Sequence, residues 1–150
     1  MVKIQTGNVY QLIGTTRLCI VESLMILDNN KFAVVYPLSN AVYMASDMDF
    51  IMLDEPCFNN ISTMAESWNS LALPVECLDN LVGKLSSKYK QYFSSFIYFK
   101  YQNAKNKTLR VLTGPPLKSN TDIRYLFRAQ ELEDISAIRD QLISTVSLSE

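Results

Sequence analysis

Apolar residues in the first half of the chain fall in short runs divided by turn-forming residues, which is the pattern of β-strands. Asn8 to Ile13 lies between Gly7 and Gly14, and Arg17 to Ile26 is a second run rich in Leu, Ile and Val. Asp28-Asn29-Asn30 then predicts a hairpin turn into Phe32 to Tyr36, because Asp and Asn tolerate turn backbone geometry. Pro37 is expected to end that strand or to place its end at a sheet edge. From Val42 to Leu53 apolar residues alternate loosely with Ser46, Asp47 and Asp49, as in a half-buried antiparallel strand or strand pair. Asp54-Glu55-Pro56 punctuates this region, Phe58 to Thr63 reads as a loop, and Glu66 to Leu73, with the sole tryptophan Trp68, is a further strand.

The period changes after about residue 85. Ser86 or Ser87 can cap a helix in which Tyr89, Tyr92, Phe93, Phe96 and Ile97 share one face, predicting a helix from about Ser87 to Tyr98. Thr108 to Leu112 is a candidate strand, and Thr113-Gly114-Pro115-Pro116 is a breaker. Beyond it Leu132, Ile135, Ile138 and Leu142 form a helical stripe within Glu131 to Ile143, while Asp122 to Arg128 is ambiguous. The pattern predicts an α+β fold: a small, strongly bent antiparallel sheet or barrel with a packed amphipathic helix and a helical C-terminal extension. At 150 residues one domain suffices, with the sheet and first helix in 1–103 and the extension in 104–150.

Composition removes several chemistries. The chain has no histidine, so imidazole cannot serve as base, nucleophile or metal ligand. Cys19, Cys57 and Cys77 are odd in number and widely spaced, which fits reduced, buried thiols in an intracellular, cytoplasmic setting. No apolar run approaches the ~20 residues of a membrane span, and the N-terminus lacks a signal-peptide core. The isolated glycines form no phosphate-cradling loop, and the pairs Asp47/Asp49 and Asp54/Glu55 fit a solvated strand and turn better than a metal or acid-base site. No cofactor and no metal are expected.

Charge is uneven although the net charge is −1. Between Asp79 and Asp122 there is no acidic residue, while Lys84, Lys88, Lys90, Lys100, Lys105, Lys107, Arg110 and Lys118 are all basic. Aromatic residues interleave with these lysines. The zone is either a solvated helix face over a core stripe or a surface that tracks single-stranded RNA.

Four segments in order resemble the MazF/PemK-type toxins, small SH3-like barrels that cleave RNA without a metal. Thr6-Gly7-Asn8-Val9-Tyr10 is similar to their opening strand, Gly14-Thr15-Thr16-Arg17-Leu18 to their "G-T-R-P" segment, Phe32 to Ser39 to their "V-V-V-P-L-T" strand, and Asn80 to Ser86 to their entry into the last helix. The resemblance covers residues 6–100. It implies that Arg17 and Ser39 are catalytic, the guanidinium stabilising a phosphorane's charge and the hydroxyl bonding a phosphoryl oxygen. Thr16, Lys84, Lys88, Lys90, Lys105 and Lys107 would then hold RNA.

The chain departs from that pattern at Leu18, where the family has proline, and in Ser70 to Glu76, which lacks the family's second arginine. Two functions therefore stand open. One is a toxin-like, RNA-directed protein with weakened or lost nuclease activity, partnered by a cognate antitoxin. The other is a non-catalytic interaction module that binds a protein through its C-terminal extension, and a homodimer is compatible with both. For the enzyme, Arg17→Ala is expected to slow cleavage about 100-fold while leaving the thermal midpoint nearly unchanged.

Overall fold

The computed structural model describes residues 4–102 and 112–148. Its strands are β1 (Asn8–Leu12), β2 (Leu18–Leu27), β3 (Asn30–Ser39), β4 (Asp49–Met52), β5 (Thr63–Glu66), β6 (Leu71–Pro74) and β7 (Leu78–Lys84). Two helices follow, α1 (Ser87–Tyr101) and α2 (Arg124–Leu148). All pairings are antiparallel, in the order β4-β5-β3-β2-β1-β7, with β6 on β3 beside β5.

The predicted hairpin is present. Asp28 and Asn29 adopt φ of 50° and 66°, the left-handed backbone that a tight β-turn requires. Pro37 does not end the third strand. β3 runs on to Ser39 and changes partner, pairing with β6 at Phe32 to Val35 and with β5 at Leu38 and Ser39. Pro37 sits at that hand-over, where its missing N–H interrupts neither ladder.

Two other expectations are corrected. Val42–Met44 is a 3-10 turn rather than part of a strand, and only Asp49–Met52 extends. Glu66 to Leu73 is broken by a 3-10 turn at Ser67–Asn69, so β5 and β6 are separate strands around Trp68. β7 is a strand although its residues are mostly exposed, and Thr108 to Val111 lies outside the described residues.

Of the two architectures expected, the open bent sheet is the one found. The sheet does not close into a barrel, since β4 and β7 are its two ends. Chain from β4 turns at Glu55-Pro56 into a 3-10 turn, Pro56–Phe58, that packs beside β7 instead of pairing with it. Proline there offers no N–H for a ladder. Gly83 is the contact point: a Cβ on it would stand 2.8 Å from Cys57 Cβ.

Both faces of the sheet are covered. Val9, Ile20, Tyr36, Leu38 and Phe50 pack with Tyr89, Phe93 and Phe96 of α1. On the opposite face Cys19, Val21, Val35 and Leu73 pack with Ile135 and Leu142 of α2. The period-2 alternation of β2 sends Ile20 to one helix and Cys19 and Val21 to the other. α1 begins where predicted, but the Ser86 hydroxyl makes no cap bond. Instead Ser86 N and Oγ donate to the Glu55 carboxylate at 3.1 Å and 2.8 Å, tying the helix start to the turn that blocks barrel closure.

Before α2 the chain is pinned at Gly114, whose N–H donates to Ser46 O at 2.9 Å. A Cβ at Gly114 would lie 2.1 Å from Ala45 O, so backbone would have to move. Gly114→Ala should lower stability by about 1–3 kcal/mol, as overpacking does, measurable as a reduced thermal midpoint. An unchanged midpoint would show this anchor to be dispensable.

Candidate functional site

Arg17 and Ser39 line one cleft of about 380 Å³, together with Thr16, Asn40, Cys57 and Phe58. The turn from β1 to β2 sets one wall. Gly14 takes φ of +75°, Thr15 Oγ1 donates to Leu12 O at 2.8 Å, and Arg17 N donates back to Thr15 Oγ1 at 3.0 Å. The end of β3 sets the other wall. Ser39 Oγ accepts from Ala41 N at 3.1 Å, and Asn40 Nδ2 donates to Ser62 O at 3.2 Å.

The two residues named by the resemblance thus come together, but the guanidinium is engaged. Arg17 Nε donates to Leu38 O at 3.0 Å, Nη2 lies 3.4 Å from Glu66 Oε1, and Nη2 also pairs with Glu131 of α2. Its side chain is only 20% exposed. Arg17 is therefore an ion-paired, largely buried residue and not an ordinary surface arginine. It joins β5 to α2.

Among the described residues the ionisable groups lining the cleft are Arg17 and Cys57, and burial with the Glu55 carboxylate nearby pushes the Cys57 thiol up to about 12. Cys19 rises to about 12 and Cys77 also rises, both through burial first, so all three free cysteines are held toward the thiol form.

Compared with known proteins, the chain matches no family model and no curated sequence.

Of the lysines expected to hold RNA, those among the described residues do not line the cleft. Lys84 closes β7, Lys90 is exposed on α1, and Lys88 lies 3.5 Å from Asp54. Lys105 and Lys107 fall outside the described residues. Lys100, also in the basic zone, turns inward: its Nζ is 3.7 Å from the buried Glu22 carboxylate, 3.1 Å from Tyr36 Oη and 4.6 Å from the Tyr36 ring centre. Burial lowers the Lys100 pKa against the pull of Glu22, while Tyr101, bonded to the same carboxylate, rises to about 12. This cluster fixes the end of α1 to β2 and β3.

A second set of polar contacts, unseen in the sequence, fixes α2. Asp49 accepts from Ser46 N at 2.8 Å and from Trp68 Nε1 at 2.8 Å, and the Arg128 guanidinium stacks 4.8 Å from the Trp68 ring centre. Arg124 Nη1 donates to Ala45 O at 2.8 Å. Asp47 and Asp49 are thus not a surface pair, since Asp49 is buried and hydrogen-bonded. Among the described residues no helix is long and apolar enough to cross a membrane, and no cluster of potential metal ligands occurs.

Proposed function

We propose that the chain is a non-catalytic interaction module, the sheet of a toxin-like protein without its nuclease chemistry. The engagement of Arg17 by Glu66 and Glu131 carries this reading, because among the described residues it leaves the cleft with no free cation and no carboxylate or imidazole to act as general base. A protein partner is supported by the end of the β2–β3 hairpin. Leu24, Met25, Ile26 and Leu27 are exposed there in succession, at 49%, 39%, 68% and 56%, an apolar patch of the kind that marks interaction sites. On α2, Ile135 and Leu142 are buried on the sheet, while Leu126, Leu132 and Ile143 stay exposed.

The purified chain should leave mixed-sequence single-stranded RNA intact, and its expression should not arrest growth. RNA cleavage that disappears in Arg17→Ala would overturn the reading. Proteins captured by the full chain should be lost with Ile26→Asp, and equal capture would move the interface elsewhere. RNA binding without cleavage is the second reading, favoured by Lys84 and Lys90, which have no carboxylate within bridging distance among the described residues. It requires log affinity to fall with log salt by roughly 0.7 per phosphate neutralised, and Lys90→Glu to flatten that slope.

A further inference from the structure

Where α2 meets the sheet, one cation serves two carboxylates. Arg17 arrives from the loop before β2, Glu66 from the end of β5 and Glu131 from α2. Asn69 Nδ2 completes the group, donating to Glu66 Oε1 and to the Glu131 backbone carbonyl, each at 3.3 Å. The second Glu66 oxygen, Oε2, is buried with no hydrogen-bond donor among the described residues. Other nearby cations are turned away: Arg128 sits on Trp68 and bonds Ser46, and Lys100 of α1 reaches Ser67 O but pairs with Glu22.

A buried carboxylate oxygen without a donor is costly, whereas a protonated one becomes a donor to the neighbouring carboxylate. We propose that Glu66 and Glu131 share one proton beside Arg17 and act as an alkali-sensitive latch holding α2 to the sheet. When the proton leaves, both carboxylates claim one guanidinium. Glu66 is fixed in β5 with its side chain fully buried, so Glu131, on the helix and 12% exposed, is the group displaced.

The pH window follows from the environment of each acid. Burial first, then the hydrogen bond and charge of Glu131, raise Glu66 from its ordinary 4.5 to about 9. The folded chain therefore holds a proton that the unfolded chain loses, and stability falls as pH rises across that interval. Glu131 shifts the other way: burial would raise it, but the hydrogen bonds with Arg17 and Glu66 outweigh this and lower it. Its contribution is lost in acid. The native latch keeps its single proton between the two limits, and its contribution to stability is greatest near pH 4.5 and declines toward about 9.

Trp68 reports on it directly, since the indole lies under Arg128, three residues before Glu131 on α2. Emission of the full chain should change in a one-proton step near pH 9, and amides of residues 135–142 should exchange faster above that step than hydroxide catalysis alone predicts. Glu66→Gln keeps the shape, cannot ionise, and should remove the step. Glu131→Gln removes the competing charge and should move the step to lower pH, so the proposal stays testable if Glu66→Gln fails to fold. Constant emission of the unmodified chain across the step region would overturn the latch. So would a step unchanged in both variants.

Discussion

Replacing Arg17 by alanine is expected to destabilise the fold by about 2–3 kcal/mol, a magnitude set by leaving buried carboxylates without their counter-ion. The side chains of Glu66 and Glu131 are 0% and 12% exposed, so water can reach only the second. Breaking a fully buried pair typically costs more, about 3–5 kcal/mol. Here Glu66 can stay protonated and Glu131 can turn outward, which places the effect at the lower end. Thermal and urea denaturation at neutral pH would measure it, with the urea midpoint falling at constant slope. For an RNase, the sequence implies for the same substitution a nearly unchanged thermal midpoint and cleavage slowed about 100-fold or more. If the midpoint stays and an RNA-cleaving activity disappears, Arg17 is a catalytic group and the ion cluster contributes little. A fall in stability with no activity to lose is the outcome that the geometry supports.

Why the sequence led toward a free Arg17 is visible in α2. Arg124, Arg128, Glu131, Ile135, Ile138 and Leu142 recur at spacings of three and four, so they share one face of the helix. The apolar stripe begins only at Leu132, which is 48% exposed at the edge of that face. The inward side continues toward the N-terminus as charges. Their partners Ala45, Ser46, Trp68, Glu66 and Arg17 lie far away in the chain, Arg17 and Glu131 being separated by 114 positions. No local pattern can announce a contact of that kind.

The same reasoning sorts the strands. Those with strong β-formers and a turn between them, such as β2 and β3, were legible because local preference and tertiary pairing agree. β7 was not, for Leu78-Asp79-Asn80-Leu81-Val82-Gly83-Lys84 contains poor strand formers and is held by pairing with β1 across two register shifts. Val42–Met44 failed the other way: its residues suit a strand, but Ser46 N bonds the Asp49 carboxylate and bends the chain first. Within the site, Arg17 and Ser39 were placed in one cleft by the ordered motifs alone. What occupies Arg17 depended on the half of the chain for which no motif spoke.

Phe93→Ala should have a larger effect still, about 3–5 kcal/mol, because the side chain is fully buried at the centre of the α1 face. Its ring meets Tyr36 edge-on at 5.9 Å and Phe50 at 5.5 Å between centroids, so truncation leaves a cavity walled by large rings that cannot collapse into it. Tyr92, on the same stripe, is only half-buried and packs at the margin of that core, so Tyr92→Ala should cost less, about 1–2 kcal/mol. The pair separates two roles for the aromatic face. If it exists to hold α1 on the sheet, the loss of stability follows burial and Phe93 exceeds Tyr92. If it stacks on RNA bases, the exposed edge matters more, and Tyr92→Ala would weaken RNA binding while leaving the denaturation midpoint nearly in place. A Phe93→Ala chain as stable as the parent would mean that α1 is not anchored through this contact, and Tyr36 and Phe50 would then have to close over the gap without it.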